Sequence, residues 1–429
     1  MKLFFKDESF SYELLRTVGY SAYGGADIGE CLETASRITE GDFGGWYRAW
    51  KLTADRVSAL GERALKEGHP VSARDAFLRA ANYYRTSEFY LHGLDDAAAL
   101  ESSRLGRANF EQAIALMPHR SSMLTIPYEG TTLPGYLFQP ATGSGPRPTL
   151  IVCTGFDGTQ EELYMNVAMA AMERGYNVLT FEGPGQGAVI REQQLPFRHD
   201  WERVISPVID YALTRPEIDR RRLALLGVSY GGYFTARAAA FDRRLAALVV
   251  VDGLYDLYDA ALTMLVPPSA RALLAQLDAP QAPELDAFIE RLKDVSTGAR
   301  WALNHGPWAF GVANAREFVA RLRRYTLKGV AEHIQCPTLV CEAEHDQFFR
   351  GQPEQFFEAL AGPKTYARFT AADAAEEHCH VGANRLMNQR VFDWLDDVLP
   401  HPSLPIEDAE TSREPTHARR AQLEERPFL

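Results

Sequence analysis

Hydrophobic and polar positions recur with different periods in different parts of this chain. From about residue 30 to residue 118, alanine, leucine and aromatic residues return every three or four positions, as in WYRAWKLTADRVSALGERALKEGH. This spacing gathers apolar side chains on one face of an α-helix. The pattern predicts an amino-terminal helical domain over residues 1–120. No fixed repeat length is visible, which argues against an array of helical repeats.

The spacing of hydrophobic residues along the chain changes at about residue 122. The segment MLTIPYEGTTLPGYLFQP alternates on both sides of Glu129 and Gly130, and this pattern predicts a β-hairpin. Short and almost wholly apolar runs follow, with helix-type segments between them: RPTLIVCTG, YNVLTFEG, RRLALLGVS, LAALVVVDG and CPTLVCEAE. Such runs are typical of strands that are buried on both faces. Residues 121–400 are therefore predicted to form an α/β fold, a mostly parallel sheet with helices on both faces.

Two segments depart from this alternation. Residues 254–330 are helical and aromatic in pattern, and they separate two apolar runs that should form neighbouring strands. They are predicted to form a helical cap insertion above the carboxyl ends of the strands. Residues 401–429 are polar and charged with little periodicity, which predicts a flexible tail.

The amino-acid composition limits the kinds of partner that the protein is expected to bind and the compartment in which it is expected. The formal net charge of −12 argues against nucleic acid or an anionic membrane as the main partner, because both would repel the protein. The five cysteines are odd in number and form no CxxC pair, so neither a disulfide framework nor a structural metal site is predicted. With no long apolar stretch and no signal-peptide pattern, we expect a cytoplasmic protein.

Residues 227–231 read GVSYG and match the pattern G-x-S-x-G. An apolar strand-type run precedes them and the small-residue run TARAAA follows, which is the context that gives this pattern meaning. Glycines on both sides let the strand and helix backbones meet and hold the serine in a strained turn. Ser229 is therefore the predicted nucleophile, with a chance match as the alternative.

A serine nucleophile needs a base, and the base needs a carboxylate to orient it. In this architecture the chain order is serine, acid, histidine. His378 and His380 follow the strand-like segment TYARFTAA; if extended, they point to opposite faces, and His378 is favoured. Asp346, in the loop after CPTLVCEAE, is the favoured acid. Asp252, at the end of LAALVVVD, is the alternative.

Acyl transfer also needs donors for an oxyanion and contacts for the substrate. The predicted donors are the backbone N–H groups of Tyr230 and of Phe156, which lies in the loop TGFDGTQEE. In the insertion, Asp256 and His305 are candidates for binding substrate hydroxyl groups. Its aromatic residues suit a flat substrate, although packing is the simpler explanation for any single one. These aromatic residues are Tyr255, Tyr258, Trp301, Trp308 and Phe310.

The segment GPGQG, residues 183–187, follows a strand-type run but contains no lysine and does not match G-x-G-x-x-G. Phosphate binding is therefore disfavoured, and a compact surface turn is the better interpretation. No cofactor is predicted.

The motifs CTGFDGTQEE, FEGPGQG, GVSYGGY, CPTLVCEAEHDQFF and AEEHCHVGA stand in this order behind a helical region. In this combination the chain resembles the alpha/beta hydrolases grouped with 2,6-dihydroxypseudooxynicotine hydrolase and the fungal polyketide-shortening pigment hydrolases. The resemblance covers most of residues 10–400. It implies the alpha/beta-hydrolase fold and a triad formed by Ser229, Asp346 and a histidine of the EHCH segment. Relatives often read EHCQ there, which favours His378.

The resemblance also implies hydrolysis of a carbon–carbon bond next to a ketone in a small aromatic or polyketide substrate, and a homodimer. A carboxylesterase, or an acyltransferase or cyclase, remains an alternative because each uses the same catalytic core. A peptidase is less favoured, since no propeller of repeated strands is visible. A binding protein with a silent triad is the weakest alternative, because every catalytic position is filled.

Overall fold

A computed structural model describes residues 3–399, and within this range eight strands form a single sheet in the order β1-β2-β4-β3-β5-β6-β7-β8. The strands are β1 Arg120–Tyr128, β2 Thr131–Gln139, β3 Arg147–Cys153, β4 Asn177–Phe181, β5 Ile218–Val228, β6 Ala247–Val251, β7 Thr338–Ala343 and β8 Lys364–Phe369. Strands β3 to β8 run parallel to their neighbours in this set, while β2 is antiparallel to both β1 and β4. The predicted mostly parallel sheet is confirmed.

The strands that the sequence indicated are all present, and so is the hairpin of β1 and β2. Glu129 and Gly130 form its turn with φ angles of 36° and 82°. A two-residue hairpin turn of this kind requires positive φ at both positions, and glycine adopts it without strain.

Both faces of the sheet are covered, because successive side chains of a strand point to opposite faces. Leu225 of β5 packs with Ile151 of β3 in one apolar cluster, whereas Leu226 packs with Leu150 and Val152 in another. This explains why the parallel strands read as continuous apolar runs.

The helices within the described range follow in chain order. They are α1 Glu8–Gly19, α2 Ile28–Ala35, α3 Phe43–Lys66, α4 Pro70–Glu88, α5 Asp96–Ala115, α6 Gln160–Leu163, α7 Met169–Glu173, α8 Gly187–Gln193, α9 Glu202–Ala212, α10 Tyr230–Phe241, α11 Leu257–Leu265, α12 Pro283–Val295, α13 Thr297–Phe310, α14 Ala315–Leu322, α15 Gln352–Ala359 and α16 Asn384–Val398. A π-helical turn, Tyr164–Ala168, joins α6 to α7. Among the described residues, no helix combines the length and apolar character that crossing a bilayer requires.

Helices α1 to α5 precede the first strand, and α1 and α2 extend the helical region toward the amino terminus. Aspartates cap both: Asp7 accepts the N–H of Phe10 at 2.9 Å, and Asp27 accepts that of Gly29 at 3.0 Å. An aspartate before a helix satisfies N–H groups that have no partner within the helix, so this signal is readable from sequence. The region has an aromatic core, in which the rings of Phe10 and Trp46 meet edge to face at 4.9 Å.

Helices α11 to α14 lie between β6 and β7 in chain order and fill the interval in which a cap insertion was predicted. The tail predicted for residues 401–429 lies outside the described residues.

Candidate active site

Ser229 stands in the turn between β5, which ends at Val228, and α10, which begins at Tyr230. Its backbone has φ 60° and ψ −126°, a conformation that costs energy for any residue with a side chain. The N–H of Ser229 donates to the carbonyl of Val251 at 3.1 Å, which ties the turn to β6. The surrounding sheet therefore maintains this strained backbone conformation. The conformation places Oγ of Ser229 beyond the end of β5.

The glycines around this turn are needed for close approach. A Cβ on Gly155, in the loop after β3, would lie 2.8 Å from Cβ of Ser229 and 2.9 Å from the backbone nitrogen of Tyr230. Real Cβ atoms do not come this close to other atoms. The loop after β3 thus touches the start of α10, and only glycine permits that contact.

A chain of hydrogen bonds joins three of the predicted residues. Nε2 of His378 lies 3.0 Å from Oγ of Ser229, and Nδ1 lies 2.8 Å from Oδ2 of Asp346. The other oxygen of Asp346 accepts the backbone N–H groups of Phe348 and Phe349 at 2.7 and 3.0 Å. Both ends of the carboxylate are therefore fixed, and it in turn fixes the imidazole.

Asp252, the alternative acid, reaches the same histidine nitrogen. Its Oδ2 lies 3.0 Å from Nδ1 of His378, and the carboxylate also accepts the backbone N–H of Cys379. Asp252 is fully buried and has a φ of 59°. The structure thus brings both candidate acids to one imidazole, an arrangement that sequence reasoning did not foresee.

His380 is directed elsewhere. The segment is a tight turn rather than the extended chain considered in the sequence analysis, with φ 54° at Cys379 and 53° at His380. The His380 ring stacks on Phe369 with centroids 3.8 Å apart, and its Nδ1 bonds the carbonyl of Ala375 at 3.2 Å. His378 is the histidine that contacts the serine.

Charges around the imidazole favour its protonated form. Burial by itself would lower the pKa of His378, but Asp346 and the other groups around it hold that pKa well above its usual range. Burial would raise the pKa of Asp252, yet the two neighbouring histidines hold it below its usual range. The pKa of His380 is lowered by burial. The site can therefore stabilise an imidazolium at His378 when a proton arrives from the serine.

The backbone N–H groups of Tyr230 and Phe156, the predicted oxyanion donors, belong to residues that line the cavity beside Ser229. Tyr230 is the first residue of α10, so its N–H has no carbonyl of the preceding turn to bond. Phe156 follows Gly155 in the loop that contacts this helix start. Nε2 of His305 lies 3.3 Å from the carbonyl oxygen of Phe156, which fixes the peptide plane between Phe156 and Asp157.

The turn GPGQG supports the same loop. The side chain of Gln186 donates to the carbonyls of Thr154 and Gly155 at 2.6 and 3.2 Å, and Gln186 is buried. The interpretation of this segment as a surface turn was wrong. Strands β3 and β4 are adjacent in the sheet, so the loops that follow them meet, and sequence alone does not show which strands are adjacent.

A cavity of about 530 Å³ opens beside Ser229 and His378. A large part of its wall is apolar and comes from α11 to α14, with Leu257, Met264, Leu292, Trp301, Phe318 and Leu322. Another part comes from α1, through Tyr12, Glu13 and Arg16. The hydroxyl of Tyr12 also donates to the carbonyl of His378 at 3.2 Å. The volume suits a small organic molecule.

The structure does not place Asp256, His305 or Trp308 on this wall. Asp256 caps α11, pairs with Lys328 at 3.1 Å and is buried by these contacts. The Trp308 ring stacks on His92 with centroids 4.3 Å apart. His305 lies behind Phe156, and burial lowers its pKa to about 4. Their assignment to substrate binding is corrected: they pack and cap. Of the five aromatic residues of the insertion named in the sequence analysis, Trp301 is the one that lines the cavity.

Asp252, His378 and Cys379 have potential metal ligand atoms within 4.8 Å of one another. These groups fit a metal poorly. A cysteine ligand must be a thiolate, whereas burial raises the pKa of Cys379 to about 12. The nitrogen of His378 that faces Asp252 is already paired with carboxylates.

Comparison with known proteins agrees with the observed fold. The model of a family described as "Alpha/beta hydrolase family" matches residues 150–393, and one described as "Esterase FrsA-like" matches residues 39–258. The chain belongs to the alpha/beta hydrolase family. This alpha/beta hydrolase is also similar over nearly its whole length to curated fungal proteins and to solved structures.

Among the fungal relatives, "Hydrolase LUC6" of Fusarium sp is 36% identical over 93% of this chain and 98% of its own. "20-hydroxy-prefusarin hydrolase FUS2" of Gibberella moniliformis is 34% identical over 92% and 97%. The crystal structure of 2,6-dihydroxy-pseudo-oxynicotine hydrolase covers 89% of this chain and 96% of its own, with a TM-score of 0.68 and 21% identity. At that identity the structural likeness shows the fold alone.

Proposed function

We propose that this alpha/beta hydrolase is a serine hydrolase that cleaves a carbon–carbon bond next to a ketone in a small aromatic or polyketide-like substrate. The observation that carries the proposal is the hydrogen-bonded chain from Asp346 through His378 to Ser229, at the edge of a largely apolar cavity. The fungal hydrolases that it resembles support this class of substrate, since one of them is named for a prefusarin compound.

In the proposed first half-reaction, Oγ of Ser229 adds to the carbonyl carbon while its proton passes to Nε2 of His378. The oxyanion accepts hydrogen bonds from the N–H groups of Tyr230 and Phe156. The carbonyl then re-forms as the carbon–carbon bond breaks, and the electron pair leaves with the departing carbon. That carbon takes the proton from His378, so an acyl ester on Ser229 and a protonated fragment result.

In the second half-reaction, His378 takes a proton from water as the water oxygen adds to the acyl carbon. Collapse of this adduct releases a carboxylic acid, and the proton returns from His378 to Ser229. The net reaction consumes one water, and every proton is accounted for without a cofactor. The pairing of His378 with two carboxylates suits this sequence because an imidazolium must persist until the departing carbon is protonated.

A second candidate function is ester hydrolysis. The match of residues 39–258 to a family of FrsA-like esterases favours it. An alkoxide leaving group is less basic than a carbanion and needs less help from the site, so the same residues suffice. A homodimer and a cytoplasmic location remain predictions.

The test is mass spectrometry after reaction with a fluorophosphonate, comparing wild type, Ser229→Ala and Ser36→Ala. Ser36 is an exposed serine whose hydroxyl donates to the carbonyl of Glu33, so it is the matched control. We expect one phosphonyl adduct on wild type and on the control, and none on Ser229→Ala. Labelling of Ser229→Ala would refute the assignment of the nucleophile.

Measurement of substrate turnover then shows which kind of bond is cleaved. Wild type and Ser229→Ala are incubated with aryl β-diketones and, separately, with aryl esters. Serine-dependent cleavage of the diketone is the expected result. Cleavage of esters alone would replace the carbon–carbon hydrolase with the esterase.

A further inference from the structure

Five charged side chains form a buried ion cluster where α1 meets the loop after β3. The members of this cluster are Glu13, Arg16, Arg85, Asp157 and Glu162. Glu13, Arg16, Asp157 and Glu162 line the same cavity as Ser229. Asp157 directly follows Phe156, so the cluster adjoins the proposed oxyanion donors. The mechanism proposed above makes no use of these charges.

Both arginines are occupied by carboxylates of the protein. Arg16 bonds Asp157 through Nη1 at 2.7 Å and Glu162 through Nε at 3.0 Å. Arg85 lies 2.8 Å from Asp157 through Nη2 and 2.8 Å from Glu162 through Nε. Two cations are therefore balanced by two anions in close contact. Neither guanidinium presents the free fork that would bind a substrate carboxylate.

Glu13 is the third acid of the cluster and is only loosely held. Its Oε2 accepts a hydrogen bond of 3.3 Å from Nη1 of Arg85. Its Oε1 lies 3.6 Å from Nη1 of Arg16, which is beyond hydrogen-bond distance. Glu13 is 3% exposed and lines the cavity. Burial, together with repulsion from Asp157 and Glu162, outweighs the two arginines and raises the pKa of Glu13 to about 7.

We propose that the carboxyl group of Glu13 binds an uncharged oxygen, a carbonyl or a hydroxyl, on the part of the substrate away from the bond that is cleaved. This proposal rests on the proposed function, because it assumes that the substrate occupies the cavity beside Ser229. When protonated, Glu13 donates a hydrogen bond to that oxygen. A substrate carboxylate is disfavoured at this position, since it would face carboxylates whose arginine partners are already engaged.

The hydrogen-bonding role gives substrate binding a pH dependence. The charged groups that face Glu13 are Arg16 on α1, Arg85 on α4, and Asp157 and Glu162 beyond β3. Tyr12 and Tyr90 also lie near it, but burial raises the pKa of both well above the usual value, so they stay neutral. Above about pH 7, Glu13 loses the proton that it donates, and its negative charge then repels the substrate oxygen.

The test uses three neutral or anionic probes: an aryl β-diketone with a ketone or hydroxyl group on its distal part, the same compound with a methylene there, and the same compound with a carboxylate there. The Michaelis constant and kcat are measured against pH for wild type, Glu13→Gln, Glu13→Ala and Glu33→Gln. Glu33 on α2 is the matched control, an exposed glutamate paired with Arg37.

For the oxygenated probe, we expect the KM of wild type to rise about tenfold per pH unit above pH 7, because the fraction of protein able to donate falls by that factor. Glu13→Gln keeps a donor that does not titrate, so its KM is expected to be low and independent of pH. Glu13→Ala is expected to raise KM for the oxygenated probe and to leave KM for the methylene probe unchanged. The carboxylate probe is expected to bind wild type weakly, and Glu33→Gln to match wild type.

The rate of fluorophosphonate labelling at Ser229 separates failure of this proposal from failure of the proposed function. Equal labelling of all four proteins shows that the nucleophile and the fold are intact. With labelling intact, a pH profile of Glu13→Gln identical to that of wild type would overturn the role of Glu13. Equal losses for the oxygenated and methylene probes in Glu13→Ala would overturn it too. Absence of labelling in wild type would overturn the proposed function itself.

Discussion

Replacing Asp346 by asparagine tests how much each of the two carboxylates at His378 contributes to the reactivity of Ser229. Oδ2 of Asp346 accepts the Nδ1–H bond at 2.8 Å, and Oδ2 of Asp252 lies 3.0 Å from the same nitrogen. In Asp346→Asn, the amide oxygen can keep the bonds from the N–H groups of Phe348 and Phe349. The amide NH2 group then faces Nδ1 and favours the tautomer with the proton on Nε2, which cannot accept the proton of Ser229.

About half of the Coulomb attraction that the two carboxylates exert on His378, in contrast, is retained. Coulomb attraction falls with the inverse of distance, so the carboxylate at 3.0 Å supplies about 93% of the attraction of the one at 2.8 Å. Where a serine hydrolase has a single acid, the change to asparagine lowers kcat by ~10⁴. With Asp252 still in place, we expect Asp346→Asn to cost ~10² and Asp252→Asn ~10, while the double variant approaches ~10⁴.

The assay is the second-order rate of fluorophosphonate labelling, measured between about pH 5 and pH 9. The pKa of His378 lies well above its usual range partly because of Asp346. Removing that negative charge lowers the pKa, so the acidic limb of the profile should move to lower pH in Asp346→Asn. A single variant at Asp346 that loses as much rate as the double variant would refute the assigned contribution of Asp252. An acidic limb that does not move would refute the electrostatic argument.

Two further predictions concern the surroundings of the site. Gly155→Ala is expected to slow labelling by at least ~10² and to destabilise the fold by about 1–3 kcal/mol, because the new Cβ would lie 2.8 Å from Cβ of Ser229. Labelling at the wild-type rate would show that the loop after β3 does not constrain the serine. Arg16→Met leaves the buried carboxylates of Glu13, Asp157 and Glu162 with only Arg85 as their arginine partner in the cluster. It should lower the free energy of unfolding in urea by about 3–5 kcal/mol. Arg48→Met, at a residue whose side chain is 71% exposed, should cost less than about 1 kcal/mol, and similar losses in the two variants would contradict this account.

Local patterns predicted much of this fold. Strands β3, β4, β6 and β7 are buried on both faces, so their apolar composition alone indicates them. Every strand that the sequence indicated is present. The turn at Ser229 could be located from sequence because Gly227 and Gly231, which permit the close approach of strand and helix, lie within five consecutive residues. The aspartates before α1 and α2 are local signals of the same kind.

The contacts between distant parts of the chain could not be predicted in this way. The role of Gln186 depends on β3 and β4 being neighbours in the sheet, and the role of Asp252 depends on the tight turn at Cys379. The assignments of Asp256, His305 and Trp308 rested on their being polar or aromatic within the insertion. That reasoning could not tell which side of a helix faces the cavity and which side packs against the rest of the protein.

The sequence by itself determined the order of the strands along the chain, the strained serine turn and the candidates for acid and base. Each of these follows from periodicity or from steric needs within a few residues. Only the tertiary structure decided that two aspartates share one histidine and that α1 supplies part of the cavity wall. Tyr12 and His378 are 366 residues apart, and their hydrogen bond forms only when packing brings these two segments together. Contacts between residues so far apart in sequence depend on tertiary packing. The local spacing of hydrophobic residues does not predict them.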